Sequence, residues 1–145
     1  MGAISLIMSF YGVNGQRYEV FGGVVMKIEA EKIQDILMLT PCDSIIDASS
    51  AADFKGQLVT WIQEGNTRIL LDLSFIVFID SSGLGAIISL LKLLTEKGDI
   101  CLCNIGEQVM SLFKLTRMDR IFRIYPSSAE ALEAMKVANR KITDY

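Results

Sequence analysis

Phe78-Ile79-Asp80-Ser81-Ser82-Gly83-Leu84-Gly85 is the stretch on which the reading of this chain turns. Upstream of it, Arg68 to Phe78 reads as one buried strand, crowded with Ile69, Leu70, Leu71, Leu73, Phe75, Ile76 and Val77. Downstream, Leu84, Ile87, Ile88, Leu91 and Leu94 recur at helical spacing. Ser81 and Ser82 therefore stand where a strand ends and a helix begins. Free backbone N–H groups and the positive end of the helix dipole converge at such a junction. A phosphate sits well there, and two adjacent hydroxyls offer a way to make it covalent.

The 145 residues suit one domain, and an apolar fraction of 51% is enough for a proper core. The net charge of −3 and the scattered lysines and arginines leave no basic face for nucleic acid. Cys42, Cys101 and Cys103 make an odd set without framework spacing, which points to reduced thiols and a cytoplasmic protein. Cys101 and Cys103 would share one face of a strand from Ile100 to Ile105 as small apolar fillers. A metal site is disfavoured because the chain has no histidine and no second cysteine pair. Ala3 to Tyr11 is apolar but lacks a basic flank and a cleavage site, so it does not read as a signal peptide. No apolar run reaches the roughly 18 residues of a membrane helix, since Asp72, Asp80 and Lys92 interrupt Leu70 to Leu94.

Along the chain, residues 1–23 read as an N-terminal extension, either disordered or a short hairpin. Ser9 to Val13 and Gln16 to Phe21 would flank an Asn14-Gly15 turn, with Gly22-Gly23 as a hinge. Val24 to Glu29 and Asp35 to Thr40 read as strands around the polar stretch Ala30 to Gln34, and Pro41 stops the second. Asp47 to Gln63 reads as a helix with Ser50 and Asp53 as a capping box. Its apolar stripe is Ala51, Phe54, Leu58, Val59 and Ile62, and Gly65 closes it. After the central strand and its helix, ended by Gly98, come the strand from Ile100 and a helix from Glu107 to Thr116. A short strand from Ile121 to Tyr125 follows, then a last helix opened by Ser127 and Glu130. The main domain spans 24–138, with a frayed tail over 139–145. The order β-β-α-β-α-β-α-β-α predicts an α/β fold, a sheet with helices packed on it.

Several chemistries lack their residues. A serine hydrolase needs Gly-x-Ser-x-Gly and a histidine base, and neither is present. Gly83-Leu84-Gly85 begins like a dinucleotide fingerprint, but Ile88 occupies the place of the third glycine. Asp43, Asp47, Asp72 and Asp80 could gather at one end of the sheet. Solvated loop charges explain them better than a divalent cation.

Asp72-Leu73-Ser74 followed by Phe78 to Gly85 resembles the signature of the STAS domain, in particular of the bacterial anti-sigma factor antagonists. Ile46-Asp47-Ala48-Ser49 is similar to the family's segment opening its first helix. Met110 to Phe122 is similar to its third helix and following turn, and Ser128 to Leu132 to its last helix. The resemblance runs from about Met26 to Met135. It implies a mixed sheet of four to five strands packed by about four helices. It also implies a switch protein that is not an enzyme and needs no cofactor. An anti-sigma factor that is also a serine kinase would phosphorylate the serine directly after the motif aspartate, here Ser81, and a phosphatase would reset it. The unphosphorylated form would bind that anti-sigma factor and free its sigma factor.

Asp47, Ser49, Asp80, Ser82, Gly83, Leu84 and Gly85 are the partner-binding positions this resemblance implies. Gly83 and Gly85 would keep the approach to Ser81 open. Without the flanking blocks, Ser81 and Asp47 would both read as plain helix caps. Stressosome scaffolds, lipid-transport accessory subunits and small-ligand sensors are alternative uses of such a domain. Ser44 stands where the family often has glycine, Pro41-Cys42-Asp43 is unusual in its loop, and the leader is longer than usual.

Overall fold

Leu70 points to one side of a parallel sheet while Ile69 and Leu71 point to the other, and all are fully buried. A strand covered on both faces reads as a continuous apolar run. The computed structural model describes residues 7–11, 17–21 and 25–143, with side chains over 25–137. The strands are β1 (Ile7–Tyr11), β2 (Arg17–Phe21), β3 (Ile28–Ile33), β4 (Ile36–Pro41) and β5 (Ile45–Ile46). After helix α1 (Ala51–Gln63) come β6 (Arg68–Asp72), β7 (Phe78–Ile79) and α2 (Ser81–Leu94). Then follow β8 (Asp99–Cys103), α3 (Glu107–Leu115), a 3₁₀ turn (Met118–Arg120), β9 (Arg123–Tyr125) and α4 (Ser128–Thr143).

The main sheet has five strands in the order β3-β4-β6-β8-β9. β3 runs antiparallel to β4, and the other neighbours are parallel. Four helices and a mixed five-stranded sheet give the expected α/β fold. Phe54, Leu58, Ile87, Leu90, Val109 and Phe113 bring α1, α2 and α3 onto one face, against Leu39, Leu71 and Leu102. On the other face Ala131 and Met135 of α4 cover Ile36, Leu70, Cys101 and Cys103. The two cysteines are thus fillers on one face. Burial pushes both thiols up to about 12.

Several boundaries depart from expectation. β3 runs from Ile28 to Ile33, through the stretch that sequence assigns to a polar loop. It is an edge strand, with Ile28 and Ala30 inward and Glu29 and Glu31 in solvent, as an edge that resists further pairing should be. The turn is instead Gln34-Asp35, with Gln34 at φ +55°. The strand from Arg68 stops at Asp72 and does not reach Phe78. Asp72 Oδ1 accepts the Ser74 backbone N–H at 3.0 Å and turns the chain out of the sheet. Pairing resumes only in β7, which lies parallel to β5 with Ile45 opposite Phe78. β8 likewise ends at Cys103, before Ile105.

The helix expected from Asp47 starts at Ala51, and Ser50 and Asp53 form no capping box. Ser50 Oγ accepts the Asp47 backbone N–H at 3.1 Å. Asp53 is buried, and its Oδ2 accepts from the Met26 backbone N–H at 2.7 Å and from Gln57 Nε2 at 2.9 Å. Gln57 also donates to the Met26 carbonyl at 2.6 Å. Two α1 side chains thus satisfy both backbone groups of Met26, as a neighbouring strand would.

β1 and β2 pair antiparallel, Ile7 opposite Phe21. The expected Asn14-Gly15 turn and Gly22-Gly23 hinge lie outside the described residues. At the other terminus, α4 continues to Thr143, into the stretch expected to fray. Its start is as read: Ser127 Oγ accepts the Glu130 backbone N–H at 3.2 Å.

Candidate functional site

α2 needs a cap because its first N–H groups have no partner within the helix. Asp80 supplies it. Its backbone is extended, at φ −92° and ψ −174°, and its Oδ1 accepts from Gly83 N–H at 3.0 Å. Its Oδ2 reaches the other way and accepts from Ala48 N–H at 3.1 Å. One carboxylate therefore ties the loop after β5 to the start of α2. Ser81 and Ser82 are the first two helical residues, and both are exposed. Neither is the cap, and among the described residues neither hydroxyl has a hydrogen-bond partner. Ser81 Oγ is free to react, at the positive end of the helix.

Asp47 and Ser49 sit in the loop that Asp80 holds. Asp47 Oδ1 accepts from the Ser49 hydroxyl at 2.6 Å, the Ser49 backbone N–H at 2.9 Å and the Ser50 hydroxyl at 3.4 Å. These bonds, the Ser49 hydroxyl first, hold its carboxyl below the ordinary range. The cap position of α1 belongs to Ser50, so Asp47 is not a helix cap. It closes a local turn on the same surface as Ser81.

Gly83 and Leu84 do not line that surface. Leu84 is in the core. Gly83 is buried, and a Cβ there would lie 2.4 Å from the Ile46 carbonyl oxygen. Its missing side chain lets α2 pack on β5 and does not clear an approach to Ser81, as the sequence suggests. Gly85 is the exposed one, and a Cβ there would meet nothing within 4 Å.

The aspartates are engaged separately. Asp72 Oδ1 accepts from Ser74 N–H and also from Asn104 Nδ2 at 3.2 Å. Among the described residues no group of histidine, cysteine, aspartate and glutamate side chains is placed to hold a metal ion. No helix among them is long and apolar enough to cross a membrane.

Beside Ser81 lies a feature that sequence reading misses. Ile45, Phe75, Val77 and Phe78 are between 42% and 55% exposed. Phe75, Val77 and Phe78, read from the sequence as part of a buried strand, belong instead to the chain that leaves the sheet at Asp72 and to β7, and Ile45 lies opposite Phe78 in β5. They form an apolar ledge flanking the Asp47 turn and the start of α2.

Comparison with known proteins agrees with this fold. The family model of the STAS domain matches residues 27–131, so the chain belongs to the STAS domain family. A Thermotoga neapolitana protein is 32% identical over 106 residues, which is 72% of this chain and 93% of that one. BtrV of Bordetella bronchiseptica is 26% identical over 114 residues, 78% of this chain and 97% of that one. Both carry the provisional name of anti-sigma factor antagonist. So does a Thermotoga maritima protein, whose crystal structure superposes with a TM-score of 0.72 at 30% identity, covering 75% of this chain and 94% of that one.

Proposed function

We propose that this chain is an anti-sigma factor antagonist that works by partner switching. Unphosphorylated, it binds an anti-sigma factor that is also a serine kinase, and a sigma factor is released. Phosphorylation of Ser81 turns binding off, and a phosphatase restores it. The protein acts by binding and has no catalytic role of its own. One observation carries the reading: Ser81 is exposed, unengaged and placed directly after the aspartate that caps α2.

Asp80, by doing the capping, frees the hydroxyl that an uncapped helix would recruit. Phosphorylation adds roughly −1.5 to −2 charges and three acceptor oxygens. The helix terminus tolerates that charge, but Asp47 and Asp80 make the surface around it acidic already. A kinase carrying nucleotide phosphates close by is repelled. The apolar ledge of Ile45, Phe75, Val77 and Phe78 offers the partner an area to cover, and desolvation there sharpens the charge effect.

Incubation with the cognate kinase and ATP, followed by mass mapping of the phosphosite, tests the reading. Ser81→Ala should abolish modification and Ser82→Ala should leave it. Full modification of Ser81→Ala overturns the assignment. In calorimetry Ser81→Asp should bind the kinase more weakly. Its fold should hold, since a carboxylate in the first turn of a helix stabilises by about 0.3–1 kcal/mol. Equal affinity of Ser81→Asp and wild type counts against the electrostatic switch.

A further inference from the structure

At the far end of the sheet the sequence Lys114-Leu115-Thr116-Arg117-Met118-Asp119-Arg120-Ile121-Phe122-Arg123 concentrates charge of the opposite sign. It holds four cations against Asp119, in a chain whose net charge is −3. Arg123 pairs with Asp99, the first residue of β8, which marks this as the starting end of the parallel strands. Ser81 lies beyond their finishing end. Lys114, Arg117 and Arg120 are exposed, and among the described residues none has an ion-pair partner. Leu115 is 84% exposed and Ile121 55%. The turn that carries them is firmly mounted, since Phe113 and Phe122 on its two sides are buried, with ring centroids 6.0 Å apart.

Arg117 adds an independent observation. It follows α3 in the left-handed conformation, at φ +60°. That is the position after a helix where glycine is the usual residue, because a Cβ there costs about 1–2 kcal/mol. Glycine would serve this backbone better. Among the described residues the Arg117 guanidinium has no partner, which leaves it free to meet one outside the chain.

We propose that Leu115 and Ile121, ringed by Lys114, Arg117 and Arg120, form a second docking surface that takes an acidic protein segment with an apolar anchor. The anchor covers the two aliphatic side chains, and its carboxylates meet the three cations. A flat anionic membrane fits less well. The patch is small, Asp119 interrupts it, and the net negative charge of the rest of the chain opposes an extended anionic surface. A short acidic segment fits within about one Debye length of 8–10 Å and feels mainly the local cations. This surface is independent of the Ser81 switch.

Fluorescence anisotropy tests it, with the full chain titrated into a labelled amphipathic peptide of glutamates and leucines at helical spacing. A lysine-for-glutamate peptide and vesicles of phosphatidylcholine with phosphatidylserine run in parallel. The glutamate peptide should bind saturably and weaken with salt, and the lysine peptide should not bind. Arg117→Gly and Leu115→Ser should each weaken binding by about tenfold or more. Arg117→Gly should melt no lower than wild type, so a loss of binding is not a loss of fold. Ser81→Asp should bind the peptide as wild type does. The proposal is overturned by no saturable binding of the glutamate peptide, by equal binding of wild type, Arg117→Gly and Leu115→Ser, or by loss of binding in Ser81→Asp. Binding to the vesicles in place of the peptide, lost in the same two variants, reassigns the surface to lipid and also overturns it.

Discussion

Asp80 accepts a hydrogen bond from the backbone N–H of Ala48, 32 positions away in sequence, with the oxygen that does not cap α2. Each of the two acceptors thus has its own structural duty. Asp80→Ala removes both, and loss of the cap alone should cost about 0.5–2 kcal/mol. Asp80→Asn keeps a single acceptor oxygen and should fall between Ala and wild type. Urea denaturation measures the order. An alanine variant as stable as wild type contradicts it.

The two motif glycines should respond in opposite directions. Gly83→Ala puts a Cβ against the Ile46 carbonyl, where backbone must move, and overpacking of this kind costs about 1–3 kcal/mol. Gly85→Ala enters open space within a helix and should stabilise by about 0.5–1 kcal/mol. Thermal melts of the two variants separate the roles. At Gly85 any loss of partner binding would come from the docking face and not from the fold.

Asp47→Asn keeps an oxygen to accept from Ser49 and removes the charge. The melting temperature at pH 7 should fall only slightly, since the bonds from Ser49 and Ser50 keep an acceptor but lose its charge. Affinity for the kinase partner should drop, because breaking a desolvated interface charge pair costs about 2–5 kcal/mol. Calorimetry and a melt on the same sample decide it. Unchanged affinity takes Asp47 off the docking surface.

Acid sensitivity should trace in part to Asp35. Its hydrogen bond from Arg68, at 2.8 Å, holds its carboxyl below the ordinary value. A carboxyl depressed in the folded state adds stability that is present above its unfolded pKa and is lost as pH falls through the folded one. The loss therefore begins below about pH 4. The Asp35 side chain is 49% exposed, so solvent screening keeps the pair to about 0.2–1 kcal/mol. Denaturation from pH 2 to 7 should show Asp35→Asn slightly less stable at neutral pH, with a shallower acid limb (~pH 2–4).

Thiol chemistry should divide the cysteines. Cys101 and Cys103 are buried, with thiols raised to about 12, and should resist an aromatic disulfide reagent until the protein unfolds. Cys42 is half-buried, its thiol raised mainly by burial, and should react first though slowly. Fast labelling of Cys101 or Cys103 in the native protein would mean that α4 opens readily.

Periodicity carries the helices of this chain well. Phe54, Leu58 and Ile62, like Leu84, Ile87 and Leu94, face the core because their spacing admits no other single face. The alternation of Ile100 and Leu102 with Cys101 and Cys103 likewise gives both faces of β8. What failed to show was anything decided by one particular hydrogen bond, whether local or long-range. Phe75, Val77 and Phe78 look like core, and only the Asp72–Ser74 turn takes them to the surface. Asp53 looks like a capping partner, and only the arrival of Met26 makes it a buried clamp. At the candidate site the serines and their helix were legible. The division of labour was not, because Asp80, Ser81 and Gly83 are adjacent letters with unrelated jobs.

That division bears on how Asp-Ser-Ser-Gly-Leu-Gly is used as a signature. Asp80, Gly83 and Leu84 are fixed by a cap, a backbone contact and the core, and any chain with this junction meets the same demands whether or not it meets a kinase. Finding those three letters in another sequence reports this strand-to-helix junction and not a regulatory role. On the function proposed above, the regulatory content rests in Ser81, with Ser82 and Gly85 at the exposed rim. On that proposal, a relative that keeps the aspartate and the first glycine but replaces the Ser81 counterpart would have the same architecture with the switch removed, and would be grouped by scaffold and not by signalling role.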